Sequence, residues 1–367
     1  MKIRRFKKRK TAKSAMSYRW LILPVLALAT YGLTALLAVR PHLTERFYSN
    51  GLYPPLATGL SMVSKLFPFS MGDLFYALLV VALLTLVLLA VFRKISVGSL
   101  LRKSLNLAAL VYILFYWLWG FNYFRVPFNE RLGINKAEAD PEQFMAVFED
   151  LIEQANNYQS KAEGNLSLAE AGLLIEKVYA DYADFLRISY PQGFRRAKNI
   201  TFAKFFAKAG ISGYYGPFFN EIHINPHLHP LELPVILAHE KAHQFGVTSE
   251  AEASFYAWFA CEYSGSDDLR YSNSLYLLRY FLNHGYSLEG FEERVAKISE
   301  PVRNDLRAIR DHWLAMRNEK IDKAASRAND AYLKTNKVTA GIADYKGIVA
   351  LVMDFRTDSL VQNKVRP

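Results

Sequence analysis

The sequence predicts a mainly α-helical protein in two parts: a three-helix transmembrane region, then an α-rich extramembrane domain with a small sheet or edge strand. Three observations predict it. Apolar residues make up 51% of the 367-residue chain and concentrate before residue 125, which separates a membrane part from a soluble one. Three runs without a charged residue, 20–39, 74–92 and 105–124, are each long enough to cross a bilayer as a helix. Beyond them, residues 239–243 read His-Glu-Lys-Ala-His on a helical pattern, the arrangement that holds zinc in a zincin.

Charge orients the membrane part. Of a formal net charge of +11, much sits in Lys2, Arg4, Arg5, Lys7, Lys8, Arg9, Lys10, Lys13 and Arg19. A nucleic-acid arm has such a composition, but the apolar run that follows at once makes this a cytoplasmic anchor under the positive-inside rule. A cleaved signal peptide does not fit either, because the run is too long and ends at Arg40-Pro41 rather than at small residues. Arg93, Lys94, Arg102 and Lys103 place the second connection on the cytoplasmic side as well. The expected division is a basic tail at 1–19, a membrane region at 20–124 and an extracytoplasmic domain at 125–367. Residues 53–69, bounded by Pro54-Pro55 and Pro68, read as a short helix at the outer interface. Tyr116, Trp117, Trp119 and Tyr123 form an aromatic belt at the outer end of the third span. Cys261 is the only cysteine, which excludes an intrachain disulfide and a cysteine zinc site.

The domain is read from its periodicity. Residues 141–158 are amphipathic, with Phe144, Val147, Phe148, Leu151 and Ile152 on one face. Residues 166–186 form another helix, capped by Ser167 with Glu170 three positions on. Residues 218–224 alternate, Phe219, Glu221 and His223 facing one way, and are the best strand candidate. Helices follow at 231–245, with Gly246 as the stop, and at 250–263, 268–283, 288–298 and 302–323. Residues 363–367 are expected to fray.

His239 and His243 lie four positions apart, so both imidazoles share a helix face and can bind one zinc ion. Glu240 is placed as the general base that takes a proton from the water the metal activates. A third ligand is required, and Glu250 and Glu252 are the candidates. Glu252 also completes a capping box with Ser249, and Glu250 is also an ordinary first-turn acid. With Glu250 as ligand, the string Glu250-Ala251-Glu252-Ala253-Ser254 resembles the ExxAD element of gluzincins. Ser254 then replaces the usual aspartate, so the hydrogen bond from that position to a ligand histidine is not assured. The metzincin pattern fails at Ser249, where a third histidine should stand. The strand at 218–224 is expected to form an edge beside the motif helix where substrate adds as a strand, with Phe219, Glu221 and His223 toward the cleft. His223, His227 and His229 read as a solvated loop rather than a second metal site. Tyr214, Tyr215, Arg279 and His284 are candidates for the donor that stabilises an oxyanion. The motif lies far from any span in sequence, so cleavage within the bilayer is not expected.

The chain resembles an uncharacterised bacterial membrane family, a domain of unknown function with three N-terminal spans and a C-terminal HExxH domain. The carrying residues are Phe67-Pro68-Phe69-Ser70-Met71-Gly72-Asp73, Trp119-Gly120-Phe121-Asn122-Tyr123-Phe124-Arg125, and His239 through Gly246 continuing to Glu250-Ala251-Glu252-Ala253-Ser254-Phe255. The resemblance implies a membrane zincin-like protein and no particular substrate. The expectation is a membrane-anchored zinc metallopeptidase acting on protein or peptide at the membrane surface, with the bilayer as partner and no nucleic acid. A non-catalytic membrane scaffold or sensor, and a zinc amidohydrolase acting on cell-wall material, are the alternatives. Oligomeric state is not legible.

Overall fold

The computed structural model describes residues 18–138, 140–190 and 195–365. The expected cytoplasmic tail therefore lies almost wholly outside the described residues. Three helices, Tyr18–Ala38, Met71–Val91 and Val97–Leu118, are long and apolar enough to cross a membrane. At 1.5 Å per residue each reaches about 30 Å. Spans two and three start earlier than their apolar runs because a serine caps each. Ser70 Oγ accepts the Asp73 N–H and Ser96 Oγ accepts the Ser99 N–H, satisfying backbone donors that lipid could not. Arg102 and Lys103 thus ride on the third span rather than on a loop. Spans one and three pack together, while span two is exposed along almost its whole length.

The interfacial stretch is a helix, Tyr53–Ser64, entered from a wider helical turn at Thr44–Leu52. It is wedged against the extramembrane domain. Tyr53, Ala57, Ser61 and Ser64 face inward, and Asn220 Nδ2 donates to Ala57 O at 2.9 Å and to Ser61 Oγ at 2.8 Å.

The domain core is helical. Pro141–Gln159 begins at an Asp140 cap, and Leu168–Asp181 at the Ser167–Glu170 capping box. Phe144 and Phe148 of the first stack on Phe281 of Asp267–Gly285. The motif helix, Leu233–Gln244, runs through the centre and is buried from Pro234 to Gln244. The glutamate helix, Glu250–Glu262, returns beside it and buries Phe255, Tyr256, Trp258 and Phe259.

A three-stranded sheet lies against the motif helix: β1 (Lys198–Asn199), β2 (Gly213–Gly216) and β3 (Glu221–Ile224). The order is β1-β3-β2, with β3 parallel to β1 and antiparallel to β2. The strand expected at the edge, β3, is instead central and buried on both faces. β2 occupies the edge.

Two further expectations change. The single helix expected at 302–323 is two, Glu300–Met316 and Glu319–Thr335. Asn318 breaks the run by turning its side chain to the N–H groups of Lys320 and Ile321, an N-cap signal. Of the residues expected to fray, 363–365 are instead helical, and 366 and 367 lie outside the described residues. Ile348–Thr357 and Ser359–Val365 are helical, and Val361 and Val365 are buried in the main core.

Candidate metal centre

His239 and His243 sit one turn apart on the motif helix, and Glu250 opens the next helix after the chain doubles back at Gly246. That reversal needs glycine: φ is +81°, and a Cβ there would lie 3.0 Å from the Asn122 side chain. The result brings three donor atoms together. His239 Nε2 and His243 Nε2 are 3.2 Å apart, and Glu250 Oε2 is 3.1 Å from the first and 3.4 Å from the second. A tetrahedral ion with bonds of about 2.0–2.1 Å has ligand–ligand edges of about 3.4 Å, so the trio matches three corners. Among the described residues these three form the group able to hold a metal ion.

The far sides of the rings also fit a metal. His243 Nδ1 donates to Val247 O at 2.7 Å. His239 Nδ1 lies 3.2 Å from Ser254 Oγ, which lies 3.0 Å from the Tyr276 hydroxyl. With each Nδ1 in contact behind, both Nε2 atoms face Glu250, where a bound ion would take their lone pairs. Ser254 therefore supplies the contact that the missing aspartate left open.

The two glutamates have separate roles. Glu250 belongs to the trio, and its helix start is fixed from a distance: Asp344 Oδ2 accepts the Glu250 N–H at 2.7 Å and the Ser249 hydroxyl at 2.8 Å. Glu252 instead forms an ion pair with buried Arg131, and its N–H donates to Ser249 Oγ. Burial raises the Glu250 carboxyl, but His243 and His239 outweigh it and hold the group well below the usual carboxylate range. Burial pushes Glu240 up to about 8, with His243 opposing and the Glu250 charge reinforcing the rise. A cation among the ligands would bring it back down.

The rest of the motif is anchored by the fold. Lys241 is fully buried, and its ammonium donates to Glu176 Oε1 at 2.7 Å and to Arg195 O at 3.0 Å. Arg195 closes the network on Glu176 at 2.7 Å. At the C-terminal end of the helix, Trp119 Nε1 donates to His243 O at 3.0 Å and Tyr53 OH to Gln244 O at 2.8 Å. The motif is thus not far from a span: Trp119 directly follows span three. More than a hundred intervening residues hid this in the sequence.

A cavity of about 670 Å³ opens over the trio, walled by Gly213, Tyr214 and Tyr215 of β2 and by Trp119, Tyr123 and Tyr345. Gly213 passes so close to Glu240 that a Cβ would lie 2.9 Å from its Oε1. Of the oxyanion candidates, Tyr214, Tyr215 and Arg279 line the cavity but are engaged, with Asp73, Asn220 and Glu232 respectively. His284 lies against Phe144 instead. Sequence reasoning missed Tyr345. Its ring lies parallel to that of His239, 9° between planes and 6.4 Å between centroids. Burial and the charges of Glu250 and Glu240 push its phenol well above the ordinary value, so it stays a neutral donor. No local pattern marks it, since it sits in the short 3-10 helix Gly341–Gly347, which carries no sequence motif.

Phe219, Glu221 and His223 are not among the residues lining the cavity. They turn to the membrane region. Phe219 meets Phe75, Glu221 accepts the N–H groups of Met71 and Gly72 and pairs with Lys198, and His223 Nε2 lies 2.8 Å from Ser70 Oγ. The cause is the central position of β3, which leaves the cleft side to β2. His227 and His229 stay apart from the trio, near His312.

Taken together, the chain is a mainly helical membrane protein with a His–His–Glu cluster at the foot of its third span. The profile of the DUF3810 family, described as a protein of unknown function, matches residues 48–353, and the chain belongs to that family. No curated protein and no solved structure matches it.

Proposed function

We propose that this protein is a membrane-anchored zinc metallopeptidase of zincin type, with its catalytic domain on the extracytoplasmic face. The observation that carries the reading is the spacing of the three donor atoms, 3.1–3.4 Å, with both Nδ1 atoms engaged behind them. His239, His243 and Glu250 would hold the ion. A bound zinc would polarise the scissile carbonyl and make water acidic enough to attack at neutral pH. Glu240 accepts that water's proton and returns it to the leaving amine. Tyr345 donates its hydroxyl to the oxygen that gains charge. β2, at the sheet edge, offers backbone groups to an extended peptide, and the lack of a side chain at Gly213 lets the strand pack directly against Glu240. The orientation rests on Arg93 and Lys94, at the ends of spans two and three opposite the domain, and on the basic tail.

The test uses the full chain purified in detergent or nanodiscs. About one zinc per chain by elemental analysis, with peptide cleavage abolished in Glu240→Gln at unchanged zinc content, is the expected result. A wild type that binds no zinc, or a Glu240→Gln variant as active as wild type, overturns the reading. Presenting wall fragments beside peptides separates a peptidase from an amidohydrolase.

A further inference from the structure

We infer that the segment from Phe202 to Lys208 is a lipid-dipping element that seats the mouth of the cavity at the headgroup level of the bilayer. Phe202 is 68% exposed and Phe205 58% exposed. These two aromatic side chains, three and six residues after β1, are three positions apart and both open, so they make a local apolar patch rather than one scattered exposed residue. Their neighbours Lys204 and Lys208 are exposed as well. Apolar rings between ammonium groups match the acyl–phosphate boundary, where the rings enter and the lysines meet lipid phosphates.

The position of the segment identifies what covers it. Thr201, the residue before Phe202, donates its hydroxyl to Asp73 Oδ2, and Tyr214 OH donates to Asp73 Oδ1 at 2.6 Å. Asp73 is in the first turn of span two, so Phe202 stands where that span leaves the membrane. The surface continues through the loop before the span. Leu66 is 73% exposed and Phe69 50% exposed, and Lys198 Nζ ties this loop to β1 by donating to Ser64 O at 3.0 Å and Phe69 O at 2.8 Å. Lipid already surrounds span two, so the same lipid covers the aromatic rim continuous with it. Ala209 to Gly213, which follow without a break, form a wall of the cavity, which therefore opens along the membrane surface.

Phe202→Cys and Phe205→Cys, each carrying a nitroxide, test this in the full chain in vesicles of phosphatidylethanolamine and phosphatidylglycerol. Cys261 is fully buried and serves as the unlabelled background. Glu293→Cys, at an exposed acidic position, is the aqueous reference. The expected result is a severalfold higher ratio of oxygen to chromium-oxalate accessibility at 202 and 205 than at 293. A ratio equal to that at 293 overturns the inference. So does low accessibility to both reagents, which would mean that protein covers the patch. Neither outcome bears on zinc binding or peptidase activity.

Discussion

The indole N–H of Trp119 donates to the backbone carbonyl of His243 at 3.0 Å, across 124 positions of sequence. The residue after a membrane span thus holds the backbone of a metal-ligand candidate. Trp119→Phe keeps the ring and removes the bond. The bond steadies the helix end that carries the ligand rather than the imidazole itself, so its loss should weaken metal binding without abolishing it. Zinc competition against a chromophoric chelator should show that weakening, with far-ultraviolet circular dichroism unchanged. The same contact predicts that residues 125–367 expressed alone, without Trp119 and Tyr53, bind zinc far more weakly than the full chain.

Glu250 and Glu252 separate in a paired experiment. Glu250→Gln should abolish stoichiometric zinc and leave the fold intact. Glu252→Gln should retain zinc but lose about 3 kcal/mol of stability, because buried Arg131 keeps its charge and its bond to Val126 O but loses its carboxylate partner. Elemental analysis and thermal unfolding read the two effects. Zinc retained by Glu250→Gln would remove Glu250 from the ligand set.

Tyr345→Phe should lower kcat about 100-fold with little change in KM, since an oxyanion donor acts on the transition state. The ring stacking over His239 survives the change, so zinc content should not move. A variant at wild-type kcat would assign the donor role elsewhere, with Tyr123 and Tyr332 the next hydroxyls on the cavity wall.

Acid should loosen the seam between span two and the sheet. Burial pushes the Glu221 carboxyl up, but hydrogen bonds from His223, Lys198 and the Gly72 and Met71 amides outweigh it and bring the group from 4.5 down to about 2. A depressed carboxyl contributes stability that is fully present above its unfolded value and lost as pH falls toward the folded one. Wild type should therefore lose stability between about pH 4.5 and 2, and Glu221→Gln should lack that component while being less stable at neutral pH. Hydrogen exchange of β3 amides across this window measures it. Parallel pH profiles for the two proteins would reject the assignment.

Much of this was legible in the sequence, and the rest was hidden for physical reasons. The three apolar spans, the capping box at Ser167, the serine N-cap at Ser249 and the motif helix are local patterns that the structure contains. The third span is Val97–Leu118 rather than 105–124, and Glu252 turns to Arg131 instead of closing a box. Alternation at residues 218–224 reported a strand but not its place in the sheet. Glu221 and His223 share a face, and a strand at the edge beside the motif helix would turn them toward the cleft, whereas in the central strand they anchor span two. Ile348–Thr357 is nearly continuous in its apolar residues and shows no helical period. Trp119, Asp344 and Tyr345 reach the site through contacts of 90 or more positions, which no window of sequence contains.

Asp344 has one more consequence. It fixes the start of the glutamate helix from 94 residues further along the chain, so a growing polypeptide that already contains His239, His243 and Glu250 still lacks the group that sets the third donor. All three spans have left the ribosome well before residue 344 does. On the proposed reading, the third donor is therefore set only after the three spans have been synthesised.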